Sequence, residues 1–293
     1  MKGKSIFYLI IVLVLPLQAL CQSTLEFDLS STPFSYRGSY LSITTFAGRG
    51  NPPGPVSINQ VSRRSKQLGY FTLEATKDGK VIETKITATP YLLTLATEGG
   101  KVELAFESPE ILRFKSSGGL GIRLRYENAA FILPMNNKQL RYMPNKAWFR
   151  SVFTVKKGEM VRHDTIPDDI RSLYNRFQLD VPPGADGEAE LILDEFHDEW
   201  RPKDYPMSFN QVVEKVKTEW QTWLDRKPEV PDEYESTADL AMYVNWSSIV
   251  HPRGWIKREG MLMSKIYMNG IWSWDHCFNA IATAYSDPKL AWD

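Results

Sequence analysis

The sequence predicts an antiparallel β-sandwich followed by a helical domain, and three observations carry that prediction. Between about residues 25 and 200, short stretches alternate apolar and polar residues at close spacing, with Gly- and Pro-rich turns between them. After Pro206 the apolar period lengthens from two residues to between three and four. The last helix-forming stretch is apolar on nearly every side, which marks a helix enclosed by other helices.

Taken from the N-terminus, residues 1–21 read as an export signal rather than as fold. Lys2 and Lys4 precede the apolar run Ile6 to Leu15, which is too short to span a bilayer comfortably, and Pro16 ends it. Cleavage before Gln22 is expected, giving a secreted or periplasmic chain with no membrane association once the signal is removed. A lipid anchor on Cys21 is the competing outcome, but Leu20 is a poor neighbour for it. Without Cys21, only Cys277 remains, so neither a disulfide framework nor a cysteine-based metal cluster is expected. Lys+Arg and Asp+Glu balance at 35 each, which gives no basic surface for nucleic acid.

Residues 22–206 form the expected sandwich. Tyr70–Thr76 should pair with Val81–Thr89 across Asp78-Gly79, and Tyr91–Thr97 with Val102–Phe106 across Gly99-Gly100. Further hairpins are expected from Ile111–Lys115 with Ile122–Tyr126, Trp148–Val155 with Val161–His163, and Arg176–Val181 with Glu190–Leu193. Arg63-Arg64-Ser65-Lys66 reads as a surface loop and Gly118 to Gly121 as a turn. Residues 207–233 read as a linker helix and linker: Val212, Val213, Val216, Trp220, Trp223 and Leu224 form a stripe before Lys227-Pro228-Glu229-Val230-Pro231. From residue 234 the chain is helical again. Ser236 with Asp239 resembles a capping box for a helix reaching about Val250, and another helix starts near Ser273 and stops before Asp287-Pro288. Its apolar residues Phe278, Ala280, Ile281, Ala282, Ala284 and Tyr285 call for packing partners that the 293 residues do not supply, so a longer, truncated helical body is expected.

The chemistry concentrates in Met268-Asn269-Gly270-Ile271-Trp272-Ser273-Trp274-Asp275-His276-Cys277-Phe278-Asn279-Ala280. Ser273 is a natural N-cap, which places Asp275 in the first helical turn, where free N–H groups and the helix dipole favour its ionised form. An ionised carboxylate accepts hydrogen bonds from sugar hydroxyls or a water, and indole rings pack on the apolar face of a sugar. The plainer alternative is that Asp275 caps the helix and the Trp residues fill a core.

Trp272-Ser273-Trp274-Asp275-His276-Cys277-Phe278-Asn279-Ala280, with Asp287-Pro288-Lys289-Leu290-Ala291-Trp292-Asp293, resembles the start of the catalytic domain of glycoside hydrolase family 63 and related trehalase-like enzymes. Pro33-Phe34-Ser35-Tyr36-Arg37-Gly38-Ser39-Tyr40 is similar to the first sandwich strand of secreted bacterial members. The resemblance implies that residues 234–293 begin an (α/α)6 barrel of an inverting α-glycosidase, acting on an α-linked glucoside within an oligosaccharide or glycoside. Inversion needs an acid and a base about 6.5–9.5 Å apart. The resemblance assigns Asp275 to the subsite of the cleaved sugar, holding that sugar or the attacking water, and places the acid and base on later helices. It requires no cofactor and leaves a structural calcium open.

Trp272 and Trp274 are the expected stacking residues, and Lys265, Asn269 and Asn279 the expected polar contacts to the sugar. His276 lies about 100° around the helix from Asp275 and reads as a hydrogen-bonded structural residue. His197 with Asp194, Glu195, Asp198 and Glu199 reads as a solvated acidic strand end rather than a metal site. Asn245-Trp246-Ser247 matches a glycosylation acceptor but falls inside a predicted helix. The alternative from another class is a non-catalytic carbohydrate-binding or cell-surface sandwich. Exposed sandwich aromatics with Trp272 and Trp274 buried would mark it.

Overall fold

A computed structural model describes residues 24–61, 68–126, 130–144, 150–165, 176–266 and 268–293. The export-signal segment and Arg63 to Lys66 lie outside the described residues. Two antiparallel sheets of eight strands face one another. The first runs, in spatial order, Phe34–Ser35, Leu41–Thr44, Ser57–Gln60, Leu68–Lys77, Gly121–Tyr126, Arg176–Val181 and Val161–Thr165, with Lys80–Val81 folded back on Leu68–Lys77. The second runs Ala130–Asn136, Gln139–Pro144, Arg150–Lys157, Ala189–Phe196, Ile111–Ser117, Lys101–Ser108, Leu93–Ala96 and Lys85–Ala88.

Alternation in the sequence becomes two inner faces that share one core. Phe71 and Phe177 from the first sheet meet Tyr142 and Phe153 from the second, with Phe71 and Phe153 edge to face at 5.2 Å between centroids. All four are buried.

The Asp78-Gly79 turn is present, with φ of 51° and 73°, and pairs Thr76 with Val81. Leu93–Ala96 pairs with Lys101–Ser108 as expected. The first hairpin stops at Val81: the rest of its expected second strand, Lys85–Ala88, lies in the second sheet against Leu93–Ala96. The other three hairpins are corrected too. Ile111–Ser117, Arg150–Lys157 and Ala189–Phe196 lie in the second sheet, while their expected partners Gly121–Tyr126, Val161–Thr165 and Arg176–Val181 lie in the first. Each turn hands the chain across the sandwich. Gly and Pro specify a reversal, but the pairing partner is chosen by burial: Leu112 and Phe114 face Ile122 and Leu124 across the core.

Helix α1, Phe209–Leu224, buries Phe209, Val212, Val216, Trp220 and Trp223. Phe209 and Val212 cover Ala105 on the outer face of the second sheet. Its start is set by a capping box, in which Ser208 accepts from the Gln211 N–H while the Gln211 side chain accepts from the Ser208 N–H. Helix α2, Glu235–Ser248, has no side-chain cap, so the expected Ser236/Asp239 box is corrected: Tyr234 holds the cap position, and Asp239 is bonded to Lys227. Trp246 of α2 meets Trp220 and Tyr36 edge-on, which extends the sandwich core into the helices.

Helix α3, Ser273–Thr283, and the short α4, Pro288–Trp292, complete the described chain. The packing partners that α3 calls for are not among the described residues: Trp274, Phe278, Ile281 and, just past the helix, Tyr285 are 59–72% exposed, and Thr283 is the one buried residue of the helix. The helix presents its apolar side outward. An (α/α)6 barrel is not formed by these elements.

Candidate functional site

The loop that carries Asp275 is held by the sandwich. Gly38 donates to the Ile249 carbonyl at 2.9 Å, and its own carbonyl accepts from the His251 N–H at 3.0 Å. Its φ is +87°, and a Cβ there would lie 2.5 Å from the His251 imidazole, so only glycine fits. Around it, the Ser35 N–H donates to the Tyr243 hydroxyl, and Arg37 bonds Glu259 at 2.8 Å and Asp287 at 3.2 Å. Arg253 bonds the buried Glu195 at 2.7 Å while its guanidinium lies over the Tyr40 ring. The segment read as a first strand is therefore also the clamp on the helices.

Lys265, expected to contact sugar, is corrected. Its side chain is sealed, 1% exposed, and its Nζ lies within hydrogen-bond distance, 3.0–3.3 Å, of Ser35 Oγ, the Tyr36 carbonyl and the Ile249 carbonyl. No carboxylate is bonded to it among the described residues. Burial therefore holds its amine well below the usual lysine range. Its carbonyl accepts from Ser42 Oγ. Lys265 is an anchor of the loop. Asn269 is engaged likewise: its amide donates to the Val61 carbonyl at 2.9 Å.

The Trp/Asp segment lies on the surface. Trp272, not Ser273, occupies the N-cap position of α3, and no side chain caps the helix, which corrects that expectation. Ser273 is the first helical residue, and Asp275 stays in the first turn. It is half-buried, while Trp272 is 36% and Trp274 69% exposed. No group among the described residues bonds its carboxylate. Trp274 packs edge-on against Phe278 one turn later. His276 is structural as expected, its Nε2 donating to the Met261 carbonyl at 2.8 Å. Asn279, half-buried, donates weakly to Met263 Sδ and lines a cleft of about 450 Å³ with His276, Met261, Trp255 and Leu290. Asp275 and the two indoles stand outside that lining.

The acidic stretch near His197 is only half as read. Asp198 and Glu199 are exposed, but Asp194 and Glu195 are buried. They point to opposite sides of their strand. Asp194 accepts from Trp200, Lys203 and Tyr205 and pins the segment leading to α1. Glu195 turns to Arg253, and burial pushes its carboxyl above the usual range. Among the described residues no group of three His, Cys, Asp or Glu side chains is placed to hold a metal ion.

No protein-family model matches the sequence, and no curated protein does. The fold has relatives among solved structures. A family GH92 inverting mannosidase from Bacteroides thetaiotaomicron is similar with a TM-score of 0.54 at 12% identity, over 75% of this chain and 36% of that one. A family GH92 α-mannosidase from the same organism, in complex with mannoimidazole, is similar with a TM-score of 0.55 at 12% identity, over 80% and 41%. The likeness is one of fold, and this chain spans about two fifths of the length of these enzymes. The class defined is a β-sandwich joined to helices, as found in glycoside hydrolases.

Proposed function

We propose that this chain is part of a secreted inverting α-glycosidase, with Asp275 gripping the sugar whose bond is cleaved or the water that attacks it. The observation that carries the reading is a carboxylate in the first turn of α3, directly after the exposed Trp272 and Trp274, with no partner among the described residues. Exposed rings next to an uncommitted acceptor in the chain suit a hexose, whose C–H face would pack on a ring while its hydroxyls donate to the carboxylate. The fold shared with an inverting mannosidase supports the same class. Acid and base are assigned to no described residue. The motif resemblance points to an α-linked glucoside, in a chain anchored neither by lipid at Cys21 nor by a membrane span.

Buried Trp272 and Trp274 would favour the non-catalytic alternative, and both are exposed. The test is the anomer first released by the full gene product from α-glucosides and α-mannosides, followed by proton NMR. Early β-hexose supports inversion, and whether it is released from the glucoside or the mannoside identifies the sugar. Early α-hexose, or no hydrolysis of either, sinks the reading.

A further inference from the structure

A second cleft, of about 370 Å³, lies where the sandwich, α1 and the end of α2 meet, and none of the residues predicted to contact sugar lines it. Its apolar wall is preformed. Trp223 is fixed by donating its indole N–H to the Met242 carbonyl at 2.9 Å, and Trp246 stands edge-on to Tyr36 at 5.2 Å. Both indoles are buried, and the Arg37 guanidinium lies over the Trp223 ring, 5.3 Å from its centroid.

The polar groups at this cleft provide both kinds of hydrogen bond. Thr218 and Thr222 spend their hydroxyl protons on helix carbonyls, leaving lone pairs as acceptors. Glu219 accepts from the Tyr36 hydroxyl at 2.6 Å and pairs with Lys215, and its remaining lone pairs can accept more. Arg226 is exposed and has no ion-pair or hydrogen-bond partner for its guanidinium among the described residues, so its N–H groups are available. The charges close to neutrality. Arg37 is matched by Glu259 and Asp287, Glu219 by Lys215, and Arg226 supplies the balancing positive charge.

We infer that this cleft is a saccharide-binding site for one or two neutral sugar units. An anion would gain from Arg226 but would face Glu219. A purely apolar ligand would strand the guanidinium and the carboxylate. A polyol satisfies donors and acceptors together, and the volume is at the small end of ligand pockets. The inference stands apart from the role of Asp275.

The experiment is a titration of the chain with maltotriose, α-1,2-mannobiose and glucuronate, followed by ligand-observed NMR. Saturable binding of a neutral sugar is expected. Thr222→Trp, at an exposed position whose new ring fills the cleft, should weaken it about tenfold or more, and Arg226→Ala several-fold. Phe131→Ala, at an exposed position outside the cleft, should leave it within about twofold. Absence of saturable binding, tighter binding of glucuronate, or binding unmoved by both cleft variants overturns the inference. Loss of binding in Asp275→Asn would overturn it while supporting the Asp275 reading, so the two fail separately.

Discussion

The sandwich and helix α3 use the same kinds of residue to opposite ends. In the sandwich, Phe71, Tyr142, Phe153 and Phe177 meet across two sheets and vanish from solvent. On α3, Trp274, Phe278 and Ile281 recur at helical spacing, yet remain on the surface. An apolar pattern states that a face requires cover, but it does not identify what covers it. Between the two regions sits the clamp of Ser35 to Tyr40 with Lys265, where polar groups rather than apolar ones join the parts.

Substitutions can break or sharpen this contrast. Phe153→Ala should cost the most, about 3–5 kcal/mol in urea unfolding, because both sheets press on the ring. Lys265 should show next, through pH. Burial depresses its folded-state pKa, so the stability linked to its neutral form is fully present above the unfolded value, about 10.4, and is lost as pH falls through the folded value. As pH falls below about 10 the wild type should therefore lose stability relative to Lys265→Met, by up to about 1.4 kcal/mol per pH unit. Parallel pH profiles of the two proteins would show that the amine titrates normally. Gly38→Ala should cost about 1–3 kcal/mol, since its Cβ meets the His251 ring at a left-handed backbone position. Ser208→Ala, which removes the cap of α1, should cost about 1 kcal/mol. Ile281→Ala should change stability by less than about 0.5 kcal/mol, because the side chain is 72% exposed. A cost comparable to that of Phe153→Ala would show that α3 is covered in solution.

The sequence made local features legible. Alternation located most strands, Asp78-Gly79 its turn, and the Val212 to Trp223 stripe its helix. Long-range choices were not legible. Nothing in Gly118 to Gly121 or Pro182-Pro183-Gly184 distinguishes a hairpin from a corner between sheets. The site was half visible. Trp272, Trp274 and Asp275 announced themselves by composition, whereas Lys265 looked like a loop cation because its acceptors lie some 230 and 16 residues away in the chain. Arg37, Glu259 and Arg253 were missed for the same reason. Gly38, set among aromatic and polar residues, was the one local hint of a close approach.

The most direct measurement is hydrolysis of an α-hexoside by the full gene product carrying Asp275→Asn, compared with wild type under matched folding. Removal of the carboxylate should lower kcat/KM by about 100-fold or more while leaving the unfolding midpoint in place. Undiminished turnover in that variant would contradict the assignment of Asp275 to the sugar and, with it, the proposed site.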